Sequence, residues 1–243
     1  MLWLDSVLSV PAVGIRIDLD IREIINFRDN VVPFFAYLKD KYNFIEIKQK
    51  EIVGYVIDTP SPSFQILPKN IVADYEYNVT KKDISGDFPV IEKPELIIYS
   101  DILNMLLEDI KYIINILKGI KDITYDRIGI VAKANLSKDS IPPGVITLIE
   151  YLGKPWGTKL LKSESLFFLR FLETDKYYDQ CHHLIKFDET VPEKGYELKL
   201  DWQRLYKYKL NIDFDKVASE LESCRLEAGK YFEKFGAGDL NYE

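Results

Sequence analysis

The chain has 243 residues, 47% of them hydrophobic and 13% aromatic, and 32 Lys and Arg against 39 Asp and Glu give it a formal charge of −7. That apolar and aromatic content excludes a disordered chain and supplies a sizeable core. The negative balance weighs against broad binding of duplex nucleic acid, which needs a basic face to release counterions. It suits a basic partner surface instead, because complementary fields speed association.

The opening Met1-Leu2-Trp3-Leu4-Asp5 has no basic stretch, and no long apolar run precedes Pro11, so no secretory signal is expected. No segment reaches the roughly eighteen apolar residues of a membrane span. A cytoplasmic location without membrane contact is the expectation. Ile15, Ile17 and Leu19 alternate with Arg16, Asp18 and Asp20, which makes 12–20 a half-buried strand. A helix is expected over 30–42, capped by Asn30, with Pro33 in the first turn where its missing N–H costs little. Strands are expected near 44–49, 52–58 and 71–78. Thr59-Pro60-Ser61-Pro62-Ser63 and Pro68-Lys69-Asn70 separate them as turns.

The clearest element runs from Asp101 to Lys118. Leu103, Leu106, Leu107, Ile110, Ile113, Ile114 and Leu117 form one apolar stripe there, Ser100 suits the N-cap, and Gly119 suits the position after the last turn. A strand from Arg127 to Ala134 follows at once. Ser137–Gly144, with Pro142-Pro143, reads as the seam between two halves, 1–136 and 145–243. Strands are then expected near 165–174, 178–187 and 195–203. A closing helix spans about Phe214 to Phe235, with Val217, Leu221, Cys224, Ala228, Tyr231 and Phe232 on one face and Gly236 as its stop. The expected fold class is α+β, with antiparallel sheets covered by long amphipathic helices. The plan is two similar sheet-plus-helix halves, or one continuous domain.

Candidate chemistry is sparse. The two histidines adjoin one of the two cysteines in Cys181-His182-His183. On a strand, successive side chains diverge, so Cys181 and His183 are expected to look inward with Ile185 and Phe187, and His182 outward with Tyr178 and Gln180. Adjacent histidines that diverge cannot chelate one ion, and no second Cys/His pair completes a ligand set, so no metal is assigned. Cys224, on an apolar helix face, is expected to be an inert buried thiol. With no Gly-x-Gly-x-x-Gly, no Gly-Lys-Ser/Thr and no Gly-x-Ser-x-Gly, nucleotide-driven and serine-hydrolase chemistry lack their residues. No cofactor is expected.

Two patterns remain. Asp188, followed nine positions later by Glu197-Leu198-Lys199, resembles the core of metal-dependent restriction-type nucleases. Two carboxylates would hold Mg²⁺ there, and the lysine would polarise the attacking water. The plain alternative is a strand with one wet face, with Tyr196, Leu198, Leu200 and Trp202 on one side and Glu197, Lys199 and Asp201 on the other. Glu46-Ile47-Lys48 shows how readily the pattern recurs. The run Trp202 to Lys209 interleaves rings and cations, so Trp202, Arg204, Tyr206 and Tyr208 are candidate binding residues, with protein as the ligand.

Four stretches resemble a sporadically distributed, uncharacterised bacterial family of similar length: Pro11–Arg16, Tyr125–Ile130, Leu198–Asp201 and the helix end Tyr231-Phe232-Glu233. A histidine usual in that family's last helix is absent here, and the chain departs from the pattern after Ile130. The resemblance implies mobile or defence-associated operons and no specific chemistry. The expectation is a non-catalytic binding protein, an accessory, inhibitor or immunity-type subunit of a bacterial defence or conflict system, with another protein as partner. The rival is the nuclease. A third reading, a small ligand between the halves, would show as a deep apolar pocket near 137–144.

Overall fold

The computed structural model describes residues 2–18, 42, 44–47, 51–55, 61–76, 81–82, 90–91, 97–117, 123–153, 167–191 and 195–239. Strands β1 (Leu8–Asp18), β2 (Phe44–Ile47), β3 (Ile52–Tyr55), β4 (Ser61–Ile66) and β5 (Asn70–Glu76) come first, followed by the two-residue strands β6 (Lys81–Lys82) and β7 (Val90–Ile91). Helix α1 (Tyr99–Leu117), β8 (Thr124–Leu136) and α2 (Pro143–Gly153) lead to β9 (Phe167–Phe171), β10 (Tyr178–Val191), β11 (Gly195–Asn211) and α3 (Phe214–Ala237). The expected helix over 30–42, apart from Tyr42, and the stop at Gly119 lie outside the described residues.

The fold mixes helices with an antiparallel sheet. Nine strands form one sheet in the order β2-β3-β4-β5-β1-β8-β11-β10-β9, and β6 and β7 pair separately. Strands from both sides of 137–144 therefore share one sheet through the β8–β11 pairing. The 137–144 stretch is not an open linker. Ser137 and Ser140 cap a short 3₁₀ turn reciprocally, and Pro143 is the first residue of α2, where a proline costs no helical hydrogen bond. Gly144 packs so tightly on Phe235 that a Cβ there would collide with the Phe235 carbonyl.

β4 arises where turn residues predicted a loop. Among the described residues β3 pairs with Phe64, Gln65 and Ile66 of β4 and not with Pro62, whose register partner is Tyr75 on β5.

One face of the sheet carries the core. Val13, Ile15, Ile128, Ile130, Leu198, Leu200 and Trp202 lie beneath α1 and α3, whose buried residues include Ile102, Leu106, Ile110, Leu221 and Phe232. Each such side chain contributes about 1.5–3 kcal/mol on burial. α1 begins at Tyr99 rather than after Ser100. Its first turn is satisfied from outside: Asp5 accepts from the Ser100 N–H at 2.9 Å and from the Ser100 hydroxyl at 3.0 Å. Asp213 caps α3 by accepting from the Lys216 N–H at 3.0 Å. The helix stops at Gly238, with φ of 80°, and not at Gly236, which lies under the Trp3 indole.

Candidate functional site

The core face of β11 closes around its own charge. Arg204 is 1% exposed. Its Nη1 donates to Glu220, and its Nη2 donates to the Ser223 hydroxyl at 2.9 Å and pairs with Glu227 at 2.9 Å. Tyr206 donates to Glu220 at 2.8 Å and Tyr178 to Glu227 at 2.9 Å, while the Tyr178 ring lies 4.0 Å from the guanidinium. The predicted binding strip is therefore mostly interior: Trp202, Arg204 and Tyr206 are buried beneath α3, and Tyr208 alone of the four stands in water, 71% exposed.

The Cys-His-His run is placed opposite to expectation. His182 pairs with Trp202 in register and faces the helices, its ring 4.2 Å from Tyr231 and 4.6 Å from Phe171. Burial, and then the neighbouring His183, push its pKa down to about 4. Cys181 and His183 stand opposite Gln203 and Asp201, on the far face. The cause is a bulge between Leu184 and Lys186, which shifts the register by one residue. Phe187 comes opposite Leu198, so the alternation read back from Phe187 assigns Cys181 and His183 to the wrong side. Both cysteines are free and buried, and burial raises both thiol pKa values, which leaves them protonated and poor nucleophiles. Among the described residues no group of three or more His, Cys, Asp and Glu is placed to hold a metal ion.

The nuclease triad is brought to one stretch of the β10–β11 ladder. Asp188 is set opposite Glu197, and Lys199, two residues on, opposite Lys186. The Asp188 side chain is outside the described ones.

The far face holds a feature that sequence reading missed. Gly14 of β1 and Gly129 of β8 lie directly opposite each other at the centre of the sheet. A Cβ at Gly129 would meet Gln203 Cγ at 3.5 Å and Asp201 Oδ1 at 3.7 Å; one at Gly14 would meet only Ile71 O at 3.7 Å and Val72 at 3.9 Å. Those are ordinary contacts, and neither glycine has positive φ. Crowding and backbone conformation thus leave both glycines unexplained, although glycine in a strand weakens it.

Together they floor a shallow groove of about 180 Å³, lined at one end by Arg16 and Arg127 and at the other by Asp201 and Gln203. Arg16 is paired with Asp126. Arg127 donates to Gln203 Oε1 at 3.3 Å, and Gln203 Nε2 donates to Asp201 Oδ2 at 2.8 Å. Asp201 is 8% exposed, and its Oδ1 has no hydrogen-bond partner. Burial raises the Asp201 carboxyl pKa, while burial and then Arg16 lower that of Arg127. The groove lies on the sheet, and apolar residues such as Ala12, Val72 and Val131 line it together with the charged ones. The signal that could have found it is an isolated glycine inside each strand pattern. Compared with protein-family models, with curated proteins and with solved structures, the chain matches none.

Proposed function

We propose that this protein acts by binding rather than by bond chemistry, as a cytoplasmic accessory, inhibitor or immunity-type subunit whose partner is another protein. The resemblance to a patchily distributed bacterial family supports a defence or conflict setting. The observation that carries the reading is the corner of the sheet at the β9–β10 turn. Tyr208 and Leu172, at 71% and 75%, and Tyr177, at 42%, are exposed there. Lys207 braces the corner, donating from its backbone N–H to Tyr177 O at 3.0 Å and from Nζ to Glu173 O and Lys176 O at 2.5 and 2.7 Å. Large apolar side chains held in water on a braced corner fit a docking centre, where a few anchors carry most of the binding energy. The test is to capture the partner with the full chain from its native host and rebuild the complex from purified components. Replacing Tyr208 by Ala together with Leu172 by Ser should weaken it at least tenfold at unchanged Tm. Undiminished affinity, or recovery of the chain alone, counts against the reading.

The β10–β11 register favours a second reading, a divalent-metal nuclease, because it sets Asp188, Glu197 and Lys199 on adjacent positions. Cleavage of DNA that needs Mg²⁺ or Mn²⁺ and is lost in E197Q would establish it. No cleavage with either metal removes it.

A further inference from the structure

Gly229 lies in the interior of α3, and a Cβ built there would meet nothing within 4 Å. Its φ is not positive. Glycine in a helix interior costs about 1 kcal/mol against alanine, and neither crowding nor backbone conformation in this chain calls for it. What a glycine on a helix surface does allow is the close approach of a second backbone. The surface beside it has the shape for that. A groove of about 360 Å³ runs between α3 and the start of α1, with Leu103 and Phe232 in its floor and Leu226, 52% exposed, on its rim. Arg225 and Glu233 also line it, four residues before and four after the glycine. Arg225 gives Nε and Nη2 to Glu222 and keeps Nη1, and among the described residues Glu233 is in no ion pair. Within one chain Arg225 and Glu233 are about 12 Å of helix apart and do not pair.

We infer that this face takes α3 of a second copy of the chain, the two helices running antiparallel and crossing at Gly229. The charge pattern is self-complementary about that point. At an antiparallel two-fold crossing on Gly229, Arg225 of one copy meets Glu233 of the other, and the symmetry makes the contact twice. Opposite charges on the rim of an interface fix its register. Centring the crossing midway between Leu226 and Gly229 instead would set Arg225 against Lys230 and Glu222 against Glu233, and like charges reject it. The glycine allows the closest approach at the same point that the charges choose, and Leu226, one turn away, is covered. No residue of the Tyr208 corner lines this groove, so the inference does not rest on docking there.

Sedimentation equilibrium of the full chain tests this. Its mass should rise with concentration from 28.3 kDa toward twice that value. R225E and E233R should each weaken association at least tenfold, and the double reversal should recover most of the loss, because it restores an opposite pair between copies. The local effect of R225E on Glu222 persists in the double variant, so recovery reports the contact across the two-fold. Gly229→Gln, whose side chain has open space in the single chain, should abolish association at an equal or higher Tm. If a charge variant fails to fold, the Gly229 variant decides the matter. A single 28.3 kDa species at every concentration, a groove that takes only a different protein, a folded Gly229 variant that still associates, or a double reversal no better than the single ones would overturn the assignment.

Discussion

Three positions apart on β11, Arg204 and Asp201 are both buried, on opposite faces of one sheet. Beneath α3, both terminal nitrogens of Arg204 are taken by Glu220, Ser223 and Glu227, and two tyrosines donate to the same carboxylates. Across the sheet, Asp201 keeps an oxygen unpartnered above a glycine floor. The covered face sets its buried charges against one another, although Arg204 Nε makes no hydrogen bond there. On the far face the Asp201 carboxylate is answered among the described residues by the Gln203 amide alone, which makes it the less well compensated of the two.

The contrast breaks most sharply on removal of each charge. Arg204→Met strands Glu220 and Glu227 and should lower stability by about 3–5 kcal/mol in urea unfolding. D201N should leave Tm equal or higher. Burial raises the Asp201 pKa, so the ionised carboxylate opposes folding at every pH above its folded value, and Asn removes that opposition. A loss in D201N comparable to that in R204M would erase the distinction between the faces.

His182 sharpens the covered side. Its folded pKa of about 4 lies below the ordinary 6.5, so the unfolded chain binds the proton first as pH falls. Stability from this group is full above about pH 6.5 and is lost toward pH 4, on the order of 3 kcal/mol. The chain with His182→Phe should show a correspondingly shallower pH dependence of unfolding over that window. A smaller effect is expected from Gly144→Ala, which forces a methyl against the Phe235 carbonyl and should cost about 1–3 kcal/mol by overpacking. Smallest is Asp213→Ala, which removes the α3 cap for about 1 kcal/mol. Thermal unfolding reads both.

Local pattern made much of this legible. Leu198, Leu200 and Trp202 declared the inner face of β11, and the stripe from Leu103 to Leu117 declared α1. What failed was non-local. The bulge at Leu184–Lys186 reverses the faces of Cys181 and His182, and no property of Ile185 announces it. β4 takes in Pro62 through its pairing with β5, and α2 starts on a proline that read as part of the seam. The groove was the least visible. Gly14 and Gly129 lie 115 positions apart and become one floor only through the β1–β8 register, and Arg204, which read as a surface cation, is enclosed by a helix that follows it.

The central claim is that neither crowding nor backbone conformation requires a glycine at Gly129, and Gly129→Ala tests it most directly. The added methyl meets Gln203 and Asp201 at ordinary contact distances on extended backbone, so chemical denaturation should show stability unchanged or raised by about 0.4–1 kcal/mol. A loss of more than about 1 kcal/mol would mean that the fold itself requires the glycine, and the account of the groove would be contradicted.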